Sequence, residues 1–187
     1  MSRSNYYIIS APAGTGKGTV VEQLVKHDNI ELSISMTTRA PRSNDIPGKT
    51  YHFVSREEFE QKIAEDGFIE YAEYQGNYYG TPKAPVEQWT SEGKDIIFEI
   101  EVQGYEKMKK LIPECIGIFI LPPSEEELER RLRGRGTETE EQILGRLATA
   151  KEEMKLTDRY NYVVVNDTVE NCVGSIIEIF EKEKQKK

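Results

Sequence analysis

Apolar residues occur along this chain in short runs that alternate with segments of helical periodicity. Runs with the length and content of strands lie at residues 6–10, 31–36, 95–100, 115–121 and 162–165. Between them, apolar residues recur every three or four positions, and the first such segment contains Val20, Val21, Leu24 and Val25. Strands separated by helices in this way predict an α/β fold, a parallel sheet with helices on both faces. Ligands of such sheets bind at the carboxyl ends of the strands.

The pattern changes between residues 33 and 82. A loop pattern and a short strand come first, at residues 37–49 and 51–54. Ser55 and Glu58 then have the spacing of a capping box that opens a helix. Tyrosine-rich alternating runs flank Gly76-Asn77, which is a β-hairpin signal. This segment is therefore predicted to be a small α+β insertion in the parallel core.

Helical periodicity resumes after the insertion, and a helix is expected to begin at Pro82. Ser124 and Glu127 form a second capping-box pattern, whose helix runs into the arginine- and glycine-rich residues 130–136. Apolar stripes mark two other helices, at Tyr105, Met108 and Leu111 and at Ile143, Leu147, Ala150 and Met154. The last helix is predicted over residues 169–180, and the charged tail 181–187 is expected to be a solvated, fraying end.

Composition indicates one well-solvated globular unit. The 187 residues are 37% hydrophobic and 31% charged, enough for one sizeable core. The formal net charge of −8 argues against a general nucleic-acid coat. Neither a long apolar run nor a charged-then-apolar leader is found, so no membrane span or secretory signal is expected. Cys115 and Cys172 lack a CxxC partner, which favours buried reduced thiols and a cytoplasmic setting.

The strongest chemical signal is Ala11-Pro-Ala-Gly-Thr-Gly-Lys-Gly-Thr19, between the first strand and the first helix. Its glycines let backbone N–H groups turn toward an anion, the helix N-terminus adds unpaired donors, and Lys17 adds a mobile charge. Against G-x-x-x-x-G-K-[ST], Ala11 replaces the first glycine and Gly18 the hydroxyl residue that usually ligates Mg²⁺. The hydroxyl of the next residue, Thr19, lies about 100° further round the helix than position 18 and so points in a different direction. The alternative interpretation of residues 11–19 is an ordinary glycine-rich turn between a strand and a helix.

Charged side chains should converge on the same edge of the sheet. Glu99 and Glu101 end a strand at alternate positions and point to one face, where a carboxylate can hold Mg²⁺ opposite a phosphate loop. Two solvated glutamates are the alternative. Arg39 and Arg42 form a fork suited to a second phosphate, although such spacing is plain loop charge in most proteins. The arginines at 130–135 form a second basic cluster. The alternative is that they only neutralise the charge of the preceding glutamates, which lie at helical spacing from them.

Taken together, the ordered motifs resemble guanylate kinase over nearly the whole chain. They lie at residues 11–19, 33–42, 51–55, 68–71, 76–81, 121–124, 131–136 and 164–167. The resemblance implies a single P-loop domain with a parallel sheet, flanking helices, a nucleotide-monophosphate-binding insertion and a helical lid. The implied parts are a core (1–32, 83–122 and 156–187), a GMP-binding insertion (33–82) and a lid (123–155).

The resemblance also implies ATP:GMP phosphotransfer with Mg²⁺, with ATP and GMP as the partners and neither nucleic acid nor membrane. The implied ATP-binding residues are Ala11, Pro12, Ala13, Gly14, Thr15, Gly16, Lys17, Gly18, Thr19 and Asn166. Those implied for GMP are Arg39, Arg42, Tyr51 and Tyr79 at the phosphate, Ser35, Glu70 and Thr81 at the guanine, and Glu101. The implied catalytic residues are Lys17, Arg39, Arg135 and Arg146, and Glu99 would hold Mg²⁺ through water.

The chain departs from the family pattern beside the phosphate loop. The family usually has Asp-Ile-Asp where this chain has Glu99-Ile-Glu101, one methylene longer at each carboxylate. Two other functions stay open. A kinase of another small phosphate, such as a ribose phosphate, would lack the guanine-reading Ser35 and Glu70. A non-catalytic interaction module of this fold would typically lose the phosphate loop, which is intact here.

Overall fold

The computed structural model describes residues 4–42, 45–74, 76–134, 136 and 138–186. The strands in this part of the chain are β1 (Tyr6–Ser10), β2 (Ile30–Ser33), β3 (Met36–Thr37), β4 (His52–Phe53), β5 (Phe68–Tyr74), β6 (Asn77–Pro82), β7 (Asp95–Glu99), β8 (Ile116–Leu121) and β9 (Tyr162–Val165). The helices are α1 (Lys17–Leu24), α2 (Arg56–Ala64), α3 (Lys83–Ser91), α4 (Val102–Leu111), α5 (Glu125–Gly134), α6 (Glu140–Met154) and α7 (Val169–Gln185).

The larger sheet is parallel throughout, in the order β2-β7-β1-β8-β9. β1 lies at its centre, where Tyr7 pairs with Ile97 on one side and with Ile116 on the other. β7, which carries Glu99, is also an interior strand. The expected α/β fold with a parallel sheet is confirmed.

Alternate residues of β1 face two apolar layers. Tyr7 and Ile9 pack with α1 and α7 on one face, where the rings of Tyr7 and Phe180 stack 3.8 Å apart. Ile8 packs on the other face, with Val86 of α3 and Met108 of α4. Because successive side chains of a strand point to opposite faces, one short apolar run anchors both layers of helices. The loops that follow β1 and β7 then meet at the carboxyl edge of the sheet.

A smaller mixed sheet, in the order β4-β3-β6-β5, lies between β2 and α3 in the chain. Its interior is aromatic, with Phe59 of α2 stacked on Phe68 at 4.3 Å and on Tyr78 at 5.2 Å between ring centres. Only glycine fits at position 80, because a Cβ on Gly80 would lie 2.8 Å from Phe68. β5 and β6 form the hairpin that Gly76-Asn77 predicts.

The predicted strand at residues 31–36 is wrong, because the structure has two strands there. β2 ends at Ser33, which pairs with Phe98 in the larger sheet, and β3 begins at Met36, which pairs with Gly80 in the smaller one. Alternation of apolar residues reports the pleat of an extended chain and says nothing about its partner strand. The point at which the chain passes from one sheet to the other was therefore invisible in the pattern.

The capping predictions are confirmed at one helix and only half met at another. Ser55 and Glu58 make both hydrogen bonds of a capping box at α2. The Ser124 hydroxyl accepts from the Glu127 N–H at 3.1 Å, but the Glu127 carboxylate pairs with arginines on the next turn of α5. Those arginines hold the pKa of Glu127 at about 2. A further capping box, at Thr139 of α6, was missed by the sequence analysis.

The charged tail is largely exposed, as its composition predicts, but it is not a fraying end. α7 continues to Gln185, and Lys184 Nζ lies 3.3 Å from the buried carboxylate of Asp95 at the start of β7. Glu183 accepts a hydrogen bond from the Tyr162 hydroxyl of β9. The last turns of α7 therefore contact strands at two separate places in the sheet.

Within the described ranges, no helix is both long enough and apolar enough to cross a membrane. Cys115 and Cys172 are buried free thiols, as predicted. Burial raises the pKa of Cys115 to about 12 and that of Cys172 to about 11. Both side chains are therefore protonated at neutral pH and serve as packing groups.

Candidate active site

Two glycines shape the loop between β1 and α1. Gly14 and Gly16 have φ angles of 89° and 95°, which residues with side chains rarely adopt. Space is restricted as well, because a Cβ on Gly14 would lie 2.7 Å from Leu132 Cδ2 and one on Gly16 would lie 2.8 Å from Asn166 Nδ2. α1 begins directly afterwards, at Lys17. The unpaired N–H groups of its first turn therefore lie beside the loop, as an anion site requires.

Two side chains from the second half of the chain support this loop. Asn166 is buried, and its Nδ2 donates to the Thr15 carbonyl oxygen at 2.7 Å. Arg131 donates to the same oxygen and to the carbonyl oxygen of Asn166, both at 3.1 Å. The sequence analysis treated Arg131 only as part of a basic cluster and missed this contact, since Arg131 and Thr15 are 116 positions apart. It also expected Asn166 at the adenine of ATP; the structure places the amide group against the loop backbone.

Glu99 and Glu101 converge on Lys17, although β7 ends at Glu99 and Glu101 is the N-cap residue of α4. Lys17 Nζ lies 3.7 Å from Glu99 Oε1 and 3.3 Å from Glu101 Oε1, and the lysine side chain is 11% exposed. Glu99 Oε1 would also lie 3.9 Å from a Cβ placed on Gly18. A carboxylate oxygen is thus found next to the position where P-loops usually have a hydroxyl group. Among the described residues, no group of three or more acidic, histidine or cysteine side chains is arranged to hold a metal ion.

A cleft of about 850 Å³ lies between the phosphate loop and the smaller sheet. Lys17 and Glu101 line it on the loop side, and Ser35 and Tyr51 line it on the side of the smaller sheet. Trp89 of α3, the one tryptophan in the sequence, also contributes to its wall. This volume lies in the range of sites that enclose small-molecule ligands.

Three of the predicted phosphate-binding residues, Arg39, Tyr51 and Tyr79, lie together, and Asp45 joins Arg39 to the Arg42 backbone. Arg39 Nη2 lies 2.8 Å from Asp45 Oδ2, and the Arg42 backbone N–H donates to that oxygen at 2.7 Å. The Arg39 guanidinium is 5.6 Å from the ring centre of Tyr51, which is 5.9 Å from that of Tyr79. Burial works against the charge of Arg39, but the hydrogen bond and charge of Asp45 raise its pKa overall. The sequence analysis found the arginines and tyrosines and missed Asp45, which pairs with the Arg39 side chain and the Arg42 backbone.

Glu70 and Thr81 are partners across β5 and β6. Thr81 is buried, and its hydroxyl donates to Glu70 Oε1 at 3.0 Å. The pairing shifts register between Phe68 and Glu70, an irregularity that typically redirects side chains beside functional sites. The other carboxylate oxygen of Glu70 accepts from Lys107 Nζ of α4 at 2.9 Å. The sequence analysis did not identify Lys107.

The predicted lid arginines are described only in part, because Arg135 lies outside the described residues. Arg146 of α6 forms an ion pair with Glu138 at 2.7 Å. It also lines a second cavity, of about 390 Å³, together with Ala13 of the phosphate loop. Arg146 is therefore close to the loop but is held by a carboxylate of its own region.

A buried carboxylate that the sequence analysis missed lines the same cavity. Glu153 of α6 is 8% exposed and accepts a hydrogen bond from Gln103 Nε2 at 2.7 Å. Burial, with the nearby charge of Glu101, raises the pKa of Glu153. In the sequence this residue is one glutamate among several on a charged helix, and only the packing of α6 against α4 sets it apart.

Comparisons with known proteins agree with this geometry. The family described as guanylate kinase matches residues 3–183. A guanylate kinase of Clostridium tetani is 50% identical over 184 residues, covering 98% of this chain and 88% of that protein. One from Halalkalibacterium halodurans is 53% identical over 170 residues, covering 90% of this chain and 83% of that protein.

Among solved structures, guanylate kinase from Anaplasma phagocytophilum has a TM-score of 0.75 and 35% sequence identity. The match covers 98% of this chain and 87% of that one. A family match over nearly the whole length, relatives at about half identity and a shared fold all point the same way. This chain belongs to the guanylate kinase family.

Proposed function

We propose that this chain transfers the γ-phosphoryl group of ATP to GMP, giving ADP and GDP. An oxygen of the GMP phosphate forms a bond to the γ-phosphorus while the bond from that phosphorus to the β–γ bridging oxygen breaks. The observation that carries the proposal is the shared cleft, which Lys17 of the phosphate loop and Tyr51 of the arginine–tyrosine group both line. Phosphoryl transfer depends on such positioning and on positive charge, with little covalent chemistry for the protein to perform.

We assign ATP to the phosphate loop, residues 11–19. The N–H groups of the glycine turn and of the first turn of α1 would bind phosphate oxygens. Lys17, held by Glu99 and Glu101 at 3.7 and 3.3 Å, would move to the outer phosphates, whose charge competes for it. We keep Asn166 on the adenine side of this site, where its Nδ2 also supports the loop through the Thr15 carbonyl oxygen.

We assign the phosphate of GMP to Arg39, Arg42, Tyr51 and Tyr79. Two guanidinium groups offer paired donors that suit a phosphate, and the phenolic hydroxyl groups add further donors. Asp45 now accepts from Arg39, so the monophosphate would share or replace that partner.

We assign the guanine to Glu70, Ser35, Thr81 and Glu101. Guanine has adjacent N1–H and N2–H donors, which a single carboxylate can accept as a pair, whereas adenine presents an acceptor at N1. A buried charged acceptor left unpaired costs about 1–3 kcal/mol, so Glu70 should discriminate between the two bases. Ser35 can donate to the guanine O6, and Thr81 fixes one oxygen of Glu70.

The residues beside the loop fit Mg²⁺, the metal that the family implies. Mg²⁺ prefers oxygen ligands and keeps several waters. Glu99, whose Oε1 lies beside Gly18, would hold it through water. When bound, the ion neutralises negative charge on the transferred phosphates.

The lid arginines, Arg135 and Arg146, are assigned to the phosphoryl group in transit. Arg146 would exchange Glu138 for this group as the lid closes. Closure of the lid and of the insertion would exclude water and so suppress hydrolysis of ATP.

The test is a coupled assay of ADP release with GMP, AMP, CMP, UMP and ribose phosphates. We expect GMP to be the preferred acceptor; a preference for a ribose phosphate would refute the assignment. In Lys17→Met, loss of a cation at the migrating charge, about 3 kcal/mol, should lower kcat at least about 100-fold. Lys26→Met, at an exposed position, is the control. Near-wild-type turnover of folded Lys17→Met would contradict the role of the loop.

A second pair of variants separates base from phosphate recognition. Glu70→Gln should lower kcat/KM for GMP at least about tenfold with no change in ATP binding. Arg42→Ala should weaken GMP and AMP alike, because it contacts only the phosphate. If Glu70→Gln leaves the GMP-to-AMP ratio unchanged, the base is recognised elsewhere.

A further inference from the structure

Lys107 contacts the proposed guanine-binding region, and the residue assignments above leave this contact unexplained. It lies on α4 and reaches across to β5, 37 positions away in sequence. Its Nζ donates to Glu70 Oε2 at 2.9 Å and to the Tyr71 carbonyl oxygen at 3.1 Å. The backbone acceptor fixes the position of the ammonium group independently of where the Glu70 side chain turns.

Stability does not explain this contact. The Lys107 side chain is 51% exposed and that of Glu70 is 20% exposed. Exposed ion pairs of this kind contribute at most about 1 kcal/mol to folding. The contact instead sets the orientation of the Glu70 carboxylate, because each of its two oxygens accepts from a different donor.

We propose that Lys107 is a positioning residue for guanine recognition, acting through Glu70 and resting on the function proposed above. A carboxylate has about four lone-pair sites, two on each oxygen. Thr81 occupies one site on Oε1 and Lys107 one site on Oε2. One site remains on each oxygen, which matches the two parallel donors N1–H and N2–H of guanine. Lys107 and Thr81 thus hold the plane of the carboxylate in the orientation that accepts a two-donor base.

A substrate pair tests this role. Inosine monophosphate keeps the N1–H and the phosphate of GMP but lacks the 2-amino group, so it needs only one oxygen of Glu70. In Lys107→Met the carboxylate keeps only Thr81 as a donor and can rotate about that bond, so the two-donor substrate loses more than the one-donor substrate. We expect the GMP-to-inosine-monophosphate ratio of kcat/KM to fall about three- to tenfold, mainly through KM for GMP. Lys107→Arg, which keeps a charged donor, should restore most of the ratio.

Lys110→Met is the matched control, an exposed lysine of the same helix, and should leave the ratio at the wild-type value. Unfolding in urea of each variant checks that the fold is kept. Phosphorylation of GMP by the wild-type protein tests the proposed function separately, whatever the variants do.

Two results would overturn the inference. An unchanged ratio in folded Lys107→Met, with both KM values at the wild-type level, would make the contact an ordinary surface ion pair. An equal rise in KM for both substrates, which also leaves the ratio unchanged, would show that Lys107 holds β5 against α4 and has no role in selecting the base.

Discussion

Replacement of Gly14 by alanine should destabilise the protein through two separable effects. The φ angle of 89° at this position costs about 1–2 kcal/mol for a residue with a side chain. The new Cβ would also lie 2.7 Å from Leu132 Cδ2 and 2.9 Å from Leu132 Cγ. Leu132 is fully buried, so it cannot turn into solvent, and such overpacking costs about 1–3 kcal/mol. Gly14→Ala should therefore lower the free energy of unfolding by about 2–5 kcal/mol.

Gly76→Ala is the matched control for the backbone effect. Gly76 has a φ of 76° in the hairpin turn, and a Cβ there would have no heavy atom within 4 Å. This variant should lose only the conformational part, about 1–2 kcal/mol. Urea unfolding followed by circular dichroism measures both variants, with the slope m expected to stay constant.

Leu132→Ala identifies the steric partner of the new methyl group. Alone it should cost about 2–5 kcal/mol, because it empties buried space. Combined with Gly14→Ala, it should cost less than the sum of the two, with a coupling of about 0.5–3 kcal/mol. Equal destabilisation by Gly14→Ala and Gly76→Ala, with additive behaviour of the double variant, would refute the steric argument. The KM for ATP should rise in Gly14→Ala, since the same shift moves the loop.

Other predictions concern the tail, the buried glutamate and the lid. Lys184→Met should lower the free energy of unfolding by about 1–3 kcal/mol, because the buried carboxyl group of Asp95 loses its cationic partner. Glu153→Gln should gain stability relative to wild type as pH rises. The pKa of the Glu153 carboxyl group is raised on folding. Such a group stabilises the folded protein at pH values below its pKa in the unfolded chain, and this stabilisation is lost as the pH rises through its pKa in the folded protein. Arg146→Ala should lower kcat at least about tenfold, with a small change in KM for GMP.

Each of these has a direct check. Lys155→Met, which removes an exposed partner of Glu152, should leave the free energy of unfolding in urea nearly unchanged. If Lys184→Met changes that free energy no more than Lys155→Met does, the argument from Asp95 fails. Urea unfolding at about pH 5 and about pH 8 tests Glu153→Gln, and a pH-independent difference from wild type would contradict it. Unchanged kcat in Arg146→Ala would leave that arginine as surface charge.

Local sequence patterns were sufficient for the elements whose cause is local. The apolar runs of β1 and β7, the capping box at Ser55 and the hairpin at Gly76-Asn77 depend on neighbours within a few residues. The passage between sheets after Ser33 depends on strands far away in the chain, and alternation could not reveal it.

The same distinction applies to the site. Spacing alone predicted that Glu99 and Glu101 converge on the loop edge of the sheet, and both carboxylates do lie beside Lys17. Their role toward Mg²⁺ stays a prediction. Asp45 and Lys107 were missed because their importance comes from partners that folding brings close. In a sequence with many charged residues, nothing local distinguishes the charged residue whose long-range contact is important.

The position of Trp89 gives the protein an optical reporter of its own. α3 follows β6 without an intervening residue, so the helix that carries this indole is joined directly to the smaller sheet. The indole lines the cleft in which ATP and GMP are proposed to meet. Because the sequence contains a single tryptophan, the fluorescence of that residue reports one point on the cleft wall. Occupation of the cleft can therefore be followed in the unlabelled protein, separately from turnover.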